Sequence, residues 1–278
     1  MKRDGHTHTE FCPHGEQEDT ELMILKAIDL GFKEYSITEH APLPKELLAA
    51  AGETPIFTTA SMALNDVDYY FKKMQHLRKK YASDLQIHIG FELDYFSTYK
   101  EWTKAFLNEY GPQTDDGLLS VHFLEGVGGL RGIDYTYEEY KTGIVDNAGS
   151  FQHAQRLYYE KLLESLDTDL GPYKPKRLGH ISLCQKFERF FDEPITYSAD
   201  NQLLVHTLLT RAKQANYQLD LNSAGFYKQG YQQSYPQVWI IKEATALGLP
   251  FVFGSDAHSI NSVGQSYDAV SPWLSQPE

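Results

Sequence analysis

Histidine and carboxylate side chains recur in this sequence at spacings that suit metal binding. His6 and His8 are two residues apart near the N-terminus, so on an extended strand both imidazoles point to the same side. Asp256 and His258 repeat this spacing near the C-terminus. Neutral imidazole is the commonest side-chain metal ligand near neutral pH. These two pairs predict a metal site to which both ends of the chain contribute.

The elements that must position these side chains alternate short strand-like runs with longer helical patterns, which is typical of parallel βα units. We predict seven strands, at residues 2–6, 34–38, 86–92, 117–122, 177–181, 217–222 and 250–255. Helices are predicted at residues 19–30, 61–81, 100–110, 151–166, 201–214 and 235–247, with an irregular insert at 41–60 and a glycine-rich loop after the fourth strand. The 278 residues are enough for a single α/β barrel.

Most of the predicted strands carry a ligand-type side chain at or just beyond the carboxyl end. The set comprises His6, His8 and His14 with the first strand, His40 after the second, Glu92 in the third, His122 in the fourth, His180 in the fifth, and Asp256 and His258 after the seventh. In an α/β barrel these ends form one face, which carries the chemistry. A solvated polar tail is the alternative explanation for His6 and His8 alone, but it does not account for the ligands on the other strands.

The number of these residues bears on the number of metal ions. A mononuclear catalytic site takes about three protein ligands, so nine side chains suit two or three ions when a carboxylate bridges. Mixed histidine and carboxylate ligation favours zinc, manganese or iron over calcium or magnesium. Cys12 lies among the N-terminal histidines, and we interpret it as a free thiol near the site, with metal ligation as the alternative.

The composition indicates which binding partners and which cellular compartment to expect. The formal net charge of −13 argues against broad contact with nucleic acid or anionic membranes. Two cysteines far apart in sequence, Cys12 and Cys184, suggest reduced thiols in the cytosol rather than a disulfide framework. No signal peptide and no apolar run of about 18 residues is recognisable. We therefore expect a cytoplasmic protein that acts on a small molecule, and the oligomeric state is not predictable.

Several short segments resemble the polymerase-and-histidinol-phosphatase (PHP) family, and most closely its histidinol-phosphatase branch. They are DGHTH at 4–8, His14, TEH at 38–40, GFELDY at 90–95, SVH at 120–122, GH at 179–180 and GSDAH at 254–258. The segments span nearly the whole chain in the order of the family. The resemblance implies one hydrolase domain over residues 1–278, folded as a distorted (β/α)7 TIM-like barrel with its metal site at the carboxyl ends of the strands.

The resemblance also implies three divalent metal ions and assigns their ligands. His6, His8, Glu92 and Asp256 would hold the first ion. The second ion would be held by His14, His40 and His258, and Glu92 would bridge to a third ion held also by His122 and His180. The implied reaction is removal of phosphate from L-histidinol phosphate, a small-molecule phosphate monoester, in a late step of histidine biosynthesis.

This reaction leads to hypotheses about individual residues. Metal ions would make water nucleophilic near neutral pH, and Asp256 would take the proton of the attacking water. Arg156 and Arg189 are chosen as phosphate-binding residues over Arg131, because guanidinium forms bidentate contacts with phosphate oxygens. The alternative role for each arginine is a surface salt bridge. Asp94 would orient a ligand, meet the cationic end of the substrate, or cap a strand at the surface.

Two competing functions remain open at this point. The first is a PHP phosphoesterase that acts on nucleotides or oligonucleotide ends, which the acidic charge disfavours. The second is a non-catalytic PHP-like binding module. Such a module would be expected to have lost ligand residues, whereas all nine are present in this sequence.

Overall fold

Seven parallel strands form the centre of the molecule, in a computed structural model that describes residues 1–52, 54–192 and 195–274. These strands are β1 (Arg3–Asp4), β2 (Glu34–His40), β3 (Gln86–Asp94), β4 (Asp116–Ser120), β7 (Arg177–Leu178), β8 (Gln218–Asn222) and β9 (Phe251–Gly254). They pair in the order β1-β2-β3-β4-β7-β8-β9. A separate antiparallel hairpin, β5 (Phe123–Gly126) and β6 (Gly129–Gly132), follows β4.

The first and last strands meet and bring the sheet close to a closed barrel. The Gly5 amide donates to the Phe253 carbonyl at 2.7 Å. Beyond β9 the Asp256 amide donates to the His6 carbonyl at 2.8 Å, and the His8 amide donates to the Ala257 carbonyl at 2.9 Å. The predicted distorted (β/α)7 barrel is thereby confirmed, and the seam of the barrel joins the two chain ends that carry paired ligands.

Helices cover the outside of the sheet. They are α1 (Thr20–Asp29), α2 (Lys45–Ala51), α3 (Pro55–Thr58), α4 (Val67–Lys80), α5 (Lys100–Tyr110), α6 (Tyr137–Tyr140), α7 (Asp146–Ala148), α8 (Phe151–Asp167), α9 (Ala199–Gln214), α10 (Val238–Ala246) and α11 (Tyr267–Val270), with a π-helical turn at Lys141–Val145. Helices α8 and α9 begin at the N-cap residues Ser150 and Ser198, whose side chains accept hydrogen bonds from backbone amides of the first helical turn. Within the described ranges no helix is long and apolar enough to cross a bilayer.

Four predicted elements differ from the structure. The insert at 41–60 contains α2 and α3, and the glycine-rich loop forms the β5–β6 hairpin. The last long helix begins at Val238 rather than residue 235, because the Tyr235 backbone pairs with Asn222 at the end of β8. The fifth predicted strand is reduced to Arg177–Leu178.

Alternation along the strands separates an apolar outer layer from a polar barrel interior. On β3 the side chains of Ile87, Ile89, Phe91 and Leu93 are buried in the apolar core between sheet and helices. Glu92 lies between them in sequence, so it points to the opposite face, into the barrel. The helices therefore bury the outer face of the sheet while the inner face is free to carry ligands.

Ion pairs fill the amino-terminal end of the barrel. The buried Arg177 donates to Asp116 Oδ2 at 2.8 Å and to the Gly5 carbonyl at 2.6 Å, and Arg3 also reaches Asp116 Oδ2 at 2.7 Å. Burial alone would raise the pKa of Asp116, but the two guanidinium groups lower it to about 2. A cavity of about 300 Å³ at this end is lined by Asp116, Lys176 and Arg177 among others, and none of the nine ligand-type residues lines it.

Candidate metal centre

The nine ligand-type residues meet at the carboxyl ends of the strands. His40 ends β2 and Glu92 lies near the end of β3, while the other seven follow strands of the barrel directly or after a short turn. Burial decreases across the group: His6, His8 and Glu92 are buried, whereas His14 is exposed. The inner end of the site is therefore buried within the barrel, and its outer end is open to solvent.

The Glu92 carboxylate lies at the middle of this cluster. Its Oε1 accepts a hydrogen bond from Ser120 Oγ at 2.7 Å and lies 2.8 Å from His180 Nε2. Its Oε2 lies 3.2 Å from both His6 Nε2 and His40 Nδ1, yet it has no hydrogen-bond partner among the residues that the structure describes. Each oxygen thus faces a different group of imidazoles, as the oxygens of a metal-bridging carboxylate do.

One group of ligand atoms forms around the barrel seam. His6 Nε2 lies 3.3 Å from His8 Nε2, and His8 Nε2 lies 3.1 Å from Asp256 Oδ1. The distance from His6 Nε2 to the same Asp256 oxygen is 3.7 Å. Together with Glu92, His6 and His8 offer ligand atoms that all lie within 4.8 Å of one another.

A second group lies on the other side of Glu92. His122 Nε2 is 3.1 Å from His180 Nε2 and 3.6 Å from Glu92 Oε1. These three residues also offer ligand atoms within 4.8 Å of one another. Glu92 therefore belongs to both groups.

A third group is formed by the more exposed histidines. His14 Nε2 lies 3.1 Å from His258 Nε2, and the imidazole rings of His14 and His40 are 5.0 Å apart between centroids. The structure adds Cys12 here, because its Sγ lies within 4.8 Å of ligand atoms of His8, His40 and His258. Cys12 therefore lies close enough to this group to offer a sulfur ligand, which is the alternative that the sequence left open for it.

The spacing of the nitrogens tests whether metal ions fit. The Nε2–Nε2 separations are 3.3 Å for His6 and His8, and 3.1 Å both for His122 and His180 and for His14 and His258. Two nitrogens bound tetrahedrally to one zinc ion, each at about 2.0–2.1 Å, lie about 3.3 Å apart. Glu92 Oε2 and the buried His40 Nε2 also lack a hydrogen-bond partner within the described residues, and a metal ion would supply one. The residues present therefore fit divalent metal ions.

The other ring nitrogen of most of these histidines is already engaged. The Nδ1 atoms lie near Asp220 for His6 (2.8 Å), Glu39 for His8 (3.2 Å), Asp94 for His122 (2.8 Å), the Thr59 carbonyl for His14 (2.8 Å) and the Asp256 carbonyl for His258 (2.9 Å). These acceptors fix the tautomer in which Nε2 carries a lone pair, and a carboxylate acceptor also raises the basicity of the ligand. Asp94 thus orients a ligand residue, the first of the roles considered for it.

The electrostatics of the cluster also call for added positive charge. Burial lowers the pKa of His8 and His122, but Asp256 beside His8 and Asp94 beside His122 outweigh it and raise the two values to about 9 and about 10. Burial raises the pKa of Glu92, but the surrounding imidazoles hold it well below its usual range. Divalent ions among neutral imidazoles would supply the positive charge that these carboxylates require.

Two residues of the cluster adopt unusual backbone conformations. Asp256 has a φ of 54° and His180 a φ of 22°. Positive φ costs free energy for residues other than glycine, and such strain concentrates at functional sites. At His180 the change of direction directly after the two-residue strand β7 turns the imidazole towards Glu92.

Sequence reasoning missed three buried residues that hold the ligand-type side chains in place. They are Glu39, which contacts His8, Asp220, which contacts His6, and Asn222, whose Nδ2 donates to Asp256 Oδ2 at 3.2 Å. A signal was available for two of them. Asp220 and Asn222 alternate along the sixth predicted strand, the one strand for which no ligand had been found.

The two arginines predicted to bind phosphate each have a protein partner in the structure. Arg156 is half exposed on α8 and pairs with Glu160 at 2.8 Å, which is the surface salt bridge given as the alternative. Arg189 is exposed and donates to Gln232 Oε1. Arg131 pairs with Glu139. In the described part of the chain no contact joins any of these arginines to the ligand cluster.

Family models match most of the chain. The model described as PHP domain matches residues 4–224, and the model described as PHP-associated matches residues 240–271. The chain belongs to the PHP family. A curated PHP relative of the chain from Bacillus subtilis, named histidinol-phosphatase, is 37% identical over 269 residues, which are 97% of this chain and 98% of the relative. The family resemblance of the short segments is therefore confirmed.

Two solved structures resemble this PHP protein over nearly its full length. One is a candidate histidinol phosphatase from Listeria monocytogenes, with 53% identity, a TM-score of 0.94, and coverage of 96% of this chain and 99% of that chain. The other is a histidinol phosphate phosphatase from Lactococcus lactis in complex with zinc, L-histidinol and phosphate. It is 19% identical, with a TM-score of 0.71 and coverage of 98% and 93%. At that identity the second structure supports the fold alone.

Proposed function

We propose that this PHP protein is a metal-dependent phosphomonoesterase that hydrolyses L-histidinol phosphate to L-histidinol and inorganic phosphate. The observation that carries the proposal is the cluster of nine ligand-type residues around Glu92, with Nε2–Nε2 separations of 3.1–3.3 Å. The substrate follows from the Bacillus subtilis relative, which is named histidinol-phosphatase and matches nearly end to end. The reaction would serve histidine biosynthesis in the cytoplasm, where Cys12 and Cys184 would stay reduced.

Three divalent ions are part of the proposal, with zinc, manganese and iron as candidates. The first would be held by His6, His8, Glu92 and Asp256, the second by His14, His40 and His258, and the third by Glu92, His122 and His180. The facing nitrogens and the unpartnered Glu92 oxygen support this number of ions. When bound, the ions make water a competent nucleophile near neutral pH and offset the charge of the phosphate.

Asp256 is the residue to which we assign the proton of the attacking water. Burial raises the pKa of its carboxyl group, but His6 and His8 hold it well below the usual range, so the group is ionised near neutral pH. Asn222 donates to its Oδ2 at 3.2 Å, which leaves Oδ1 facing His8 Nε2 at 3.1 Å. The amide thus fixes the carboxylate in the orientation that this role requires.

We further propose that residues 1–278 act as one hydrolase domain. One continuous apolar core, which extends from Met23 in α1 to Val270 in α11, supports this proposal.

The test is phosphate release from L-histidinol phosphate beside a panel of nucleotide and sugar monophosphates, with metal content measured on the same purified sample. We expect strong preference for L-histidinol phosphate and two to three bound metal ions per chain. Equal or better turnover of nucleotides would preserve the metal centre but overturn the biosynthetic substrate. Absence of turnover by fully metal-loaded protein would favour the binding module.

A further inference from the structure

His14 is oriented by a segment that lies outside the barrel strands. Its exposed imidazole donates from Nδ1 to the Thr59 carbonyl at 2.8 Å, which leaves Nε2 available to a metal ion. By contrast, the Nδ1 atoms of His6, His8 and His122 face carboxylates on β8, β2 and β3. A hydrogen bond at an exposed position competes with water. The orientation of His14 therefore depends on how firmly the Thr59 carbonyl is held.

Thr59 is the C-cap residue of α3. Its amide donates to the Pro55 carbonyl at 3.0 Å, and its hydroxyl donates to the same carbonyl at 2.8 Å. The helix buries Ile56 and Phe57, each of which has 7% of its surface exposed. A helix of four residues is not stable by itself. The packing of these two side chains therefore decides where the Thr59 carbonyl lies.

Ile56 and Phe57 belong to a small apolar core that is separate from the main core. Its buried members are Leu43, Leu47, Ile56, Phe57, Phe96 and Phe123. The rings of Phe57 and Phe123 stack, with centroids 5.2 Å apart and an angle of 11° between their planes. Ile56 Cδ1 occupies the space in which a Cβ atom at Gly132 would lie. The small core therefore joins α2 and α3 to the β5–β6 hairpin.

The small core lies at the end of the barrel that carries the ligand cluster. Phe123 directly follows His122, beyond the end of β4, and α2 follows His40, the last residue of β2. The two segments that leave the barrel beside these histidines thus meet in the small core. Their packing places Thr59 against His14.

We propose that Phe57 is a positioning residue for the metal centre. Through α3 and the Thr59 carbonyl it fixes the imidazole of His14 and thereby sets the affinity of the second metal ion. The proposal rests on the proposed function for the presence of that ion. Without the Phe57 ring, α3 loses its stacking partner on the hairpin, and His14 is free to adopt other rotamers and the other tautomer. The other two ions have ligands oriented from the barrel strands and do not depend on Phe57.

The experiment is a double-mutant cycle in which metal-free protein is titrated with zinc against a chelator of known affinity. The variants are Phe57→Ala, His14→Ala and the double variant. We expect Phe57→Ala to raise the Kd of one zinc ion about 10-fold, at the lower end of the range for loss of an outer partner of a ligating histidine. The remaining zinc affinities should be unchanged. The double variant should bind zinc as His14→Ala does, because Phe57 acts through His14.

Phe151→Ala is the matched control. Phe151 has 6% of its surface exposed, lies at the start of α8, and packs its ring against Tyr140 and Phe191. This variant should lose stability as Phe57→Ala does, yet keep every zinc affinity of the wild type. Phe57→Leu, which retains most of the apolar volume, replaces Phe57→Ala if the alanine variant does not fold. It should weaken the same zinc ion by a smaller factor.

Unchanged zinc affinities in folded Phe57→Ala, or in Phe57→Leu where the alanine variant is unfolded, would overturn the proposal. A loss in the double variant beyond that in His14→Ala would also overturn it, as would an equal loss in Phe151→Ala. If His14→Ala binds zinc as the wild type does, the second ion and the role of Phe57 both fail. Zinc binding does not depend on which ester is cleaved. If the wild type fails to hydrolyse L-histidinol phosphate but the cycle gives the expected result, the proposed substrate is lost and the role of Phe57 stands.

Discussion

Replacing Asp220 by Asn should weaken metal binding without changing the shape of the site. Asp220 Oδ2 lies 2.8 Å from His6 Nδ1, accepts from Asn222 Nδ2 at 3.0 Å, and lies 3.4 Å from the His180 amide. Asn222 in turn holds Asp256. A single buried carboxylate oxygen therefore orients three of the proposed ligand residues. The substitution keeps the side-chain volume, removes the charge and replaces one acceptor oxygen by an NH2 donor.

The size of the effect follows from these contacts. A hydrogen bond to a charged group contributes about 1.5–3 kcal/mol and one between neutral groups about 0.5–1.5 kcal/mol. Loss of the charge at the His6 contact thus costs roughly 1–2 kcal/mol, and the weaker contacts to Asn222 and His180 add to it. Loss of a carboxylate behind a metal-bound histidine typically reduces metal affinity 10- to 100-fold. We expect Asp220→Asn to weaken zinc binding within this range.

The assay is a zinc competition titration against a chelator of known affinity, with metal content and circular dichroism measured on the same protein. Glu160→Gln is the matched control, because it removes one carboxylate charge from a half-exposed salt bridge on α8. The control should bind zinc as the wild type does. Zinc affinity of folded Asp220→Asn within twofold of the wild type would refute the reasoning that Asp220 supports the ligand set.

Three further predictions concern single groups. Asp256→Asn should abolish phosphate release and shift the melting temperature of the metal-free protein by no more than about 5 °C; near-normal release would contradict the role of Asp256. Burial raises the pKa of Glu188 from 4.5 to about 7, so between these values the folded state binds more protons than the unfolded state, and stability falls as pH rises. Glu188→Gln should reduce this fall in urea unfolding across that pH range, and an unchanged slope would count against it. Burial raises the pKa of the Cys12 and Cys184 thiols, so a disulfide reagent should modify neither in folded, metal-loaded protein and both in denaturant; rapid modification of one native thiol would contradict this.

The barrel and the positions of the ligand-type residues were predictable because both are local properties. A His-x-His pair on a strand needs only the two-residue repeat to direct both rings to one side. The parallel βα pattern then places the ends of all strands on one face. His6 and Asp256 are 250 residues apart in the sequence, yet the closure of the barrel brings His6 Nε2 to 3.7 Å from Asp256 Oδ1. That the nine residues bind metal remains a prediction.

The residues behind the ligands were not predictable in the same way. Asp220 and His6 are separated by 214 residues, and their contact depends on the register of β8 against β9 and of β9 against the chain after β1. Hydrophobic periodicity shows which face of a strand is buried, but it does not show which buried carboxylate will meet which imidazole. Glu39 was visible next to His40, but its contact with His8 depends on how the chain beyond β1 runs alongside β2.

That Arg156 and Arg189 bind phosphate remains a prediction, and one signal in the sequence favours the alternative role for Arg156. Arg156 follows Ala154 and precedes Tyr158 and Tyr159, which are buried, and its partner Glu160 is four residues further on. This is the spacing of a salt bridge on the outer face of a helix. The helical period therefore places Arg156 towards solvent in a pair with Glu160, and a phosphate bound at the metal centre would have to compete with that salt bridge.

Loops after strands gave no comparable periodicity, so no pattern in the sequence shows which protein cation would meet a phosphate at the opening. Three divalent ions would bring six positive charges to the cluster, and the Glu92 and Asp256 carboxylates would offset two of them. The metal centre would therefore attract a phosphate monoester without a further cation, because bound ions are the largest local charges in such a site.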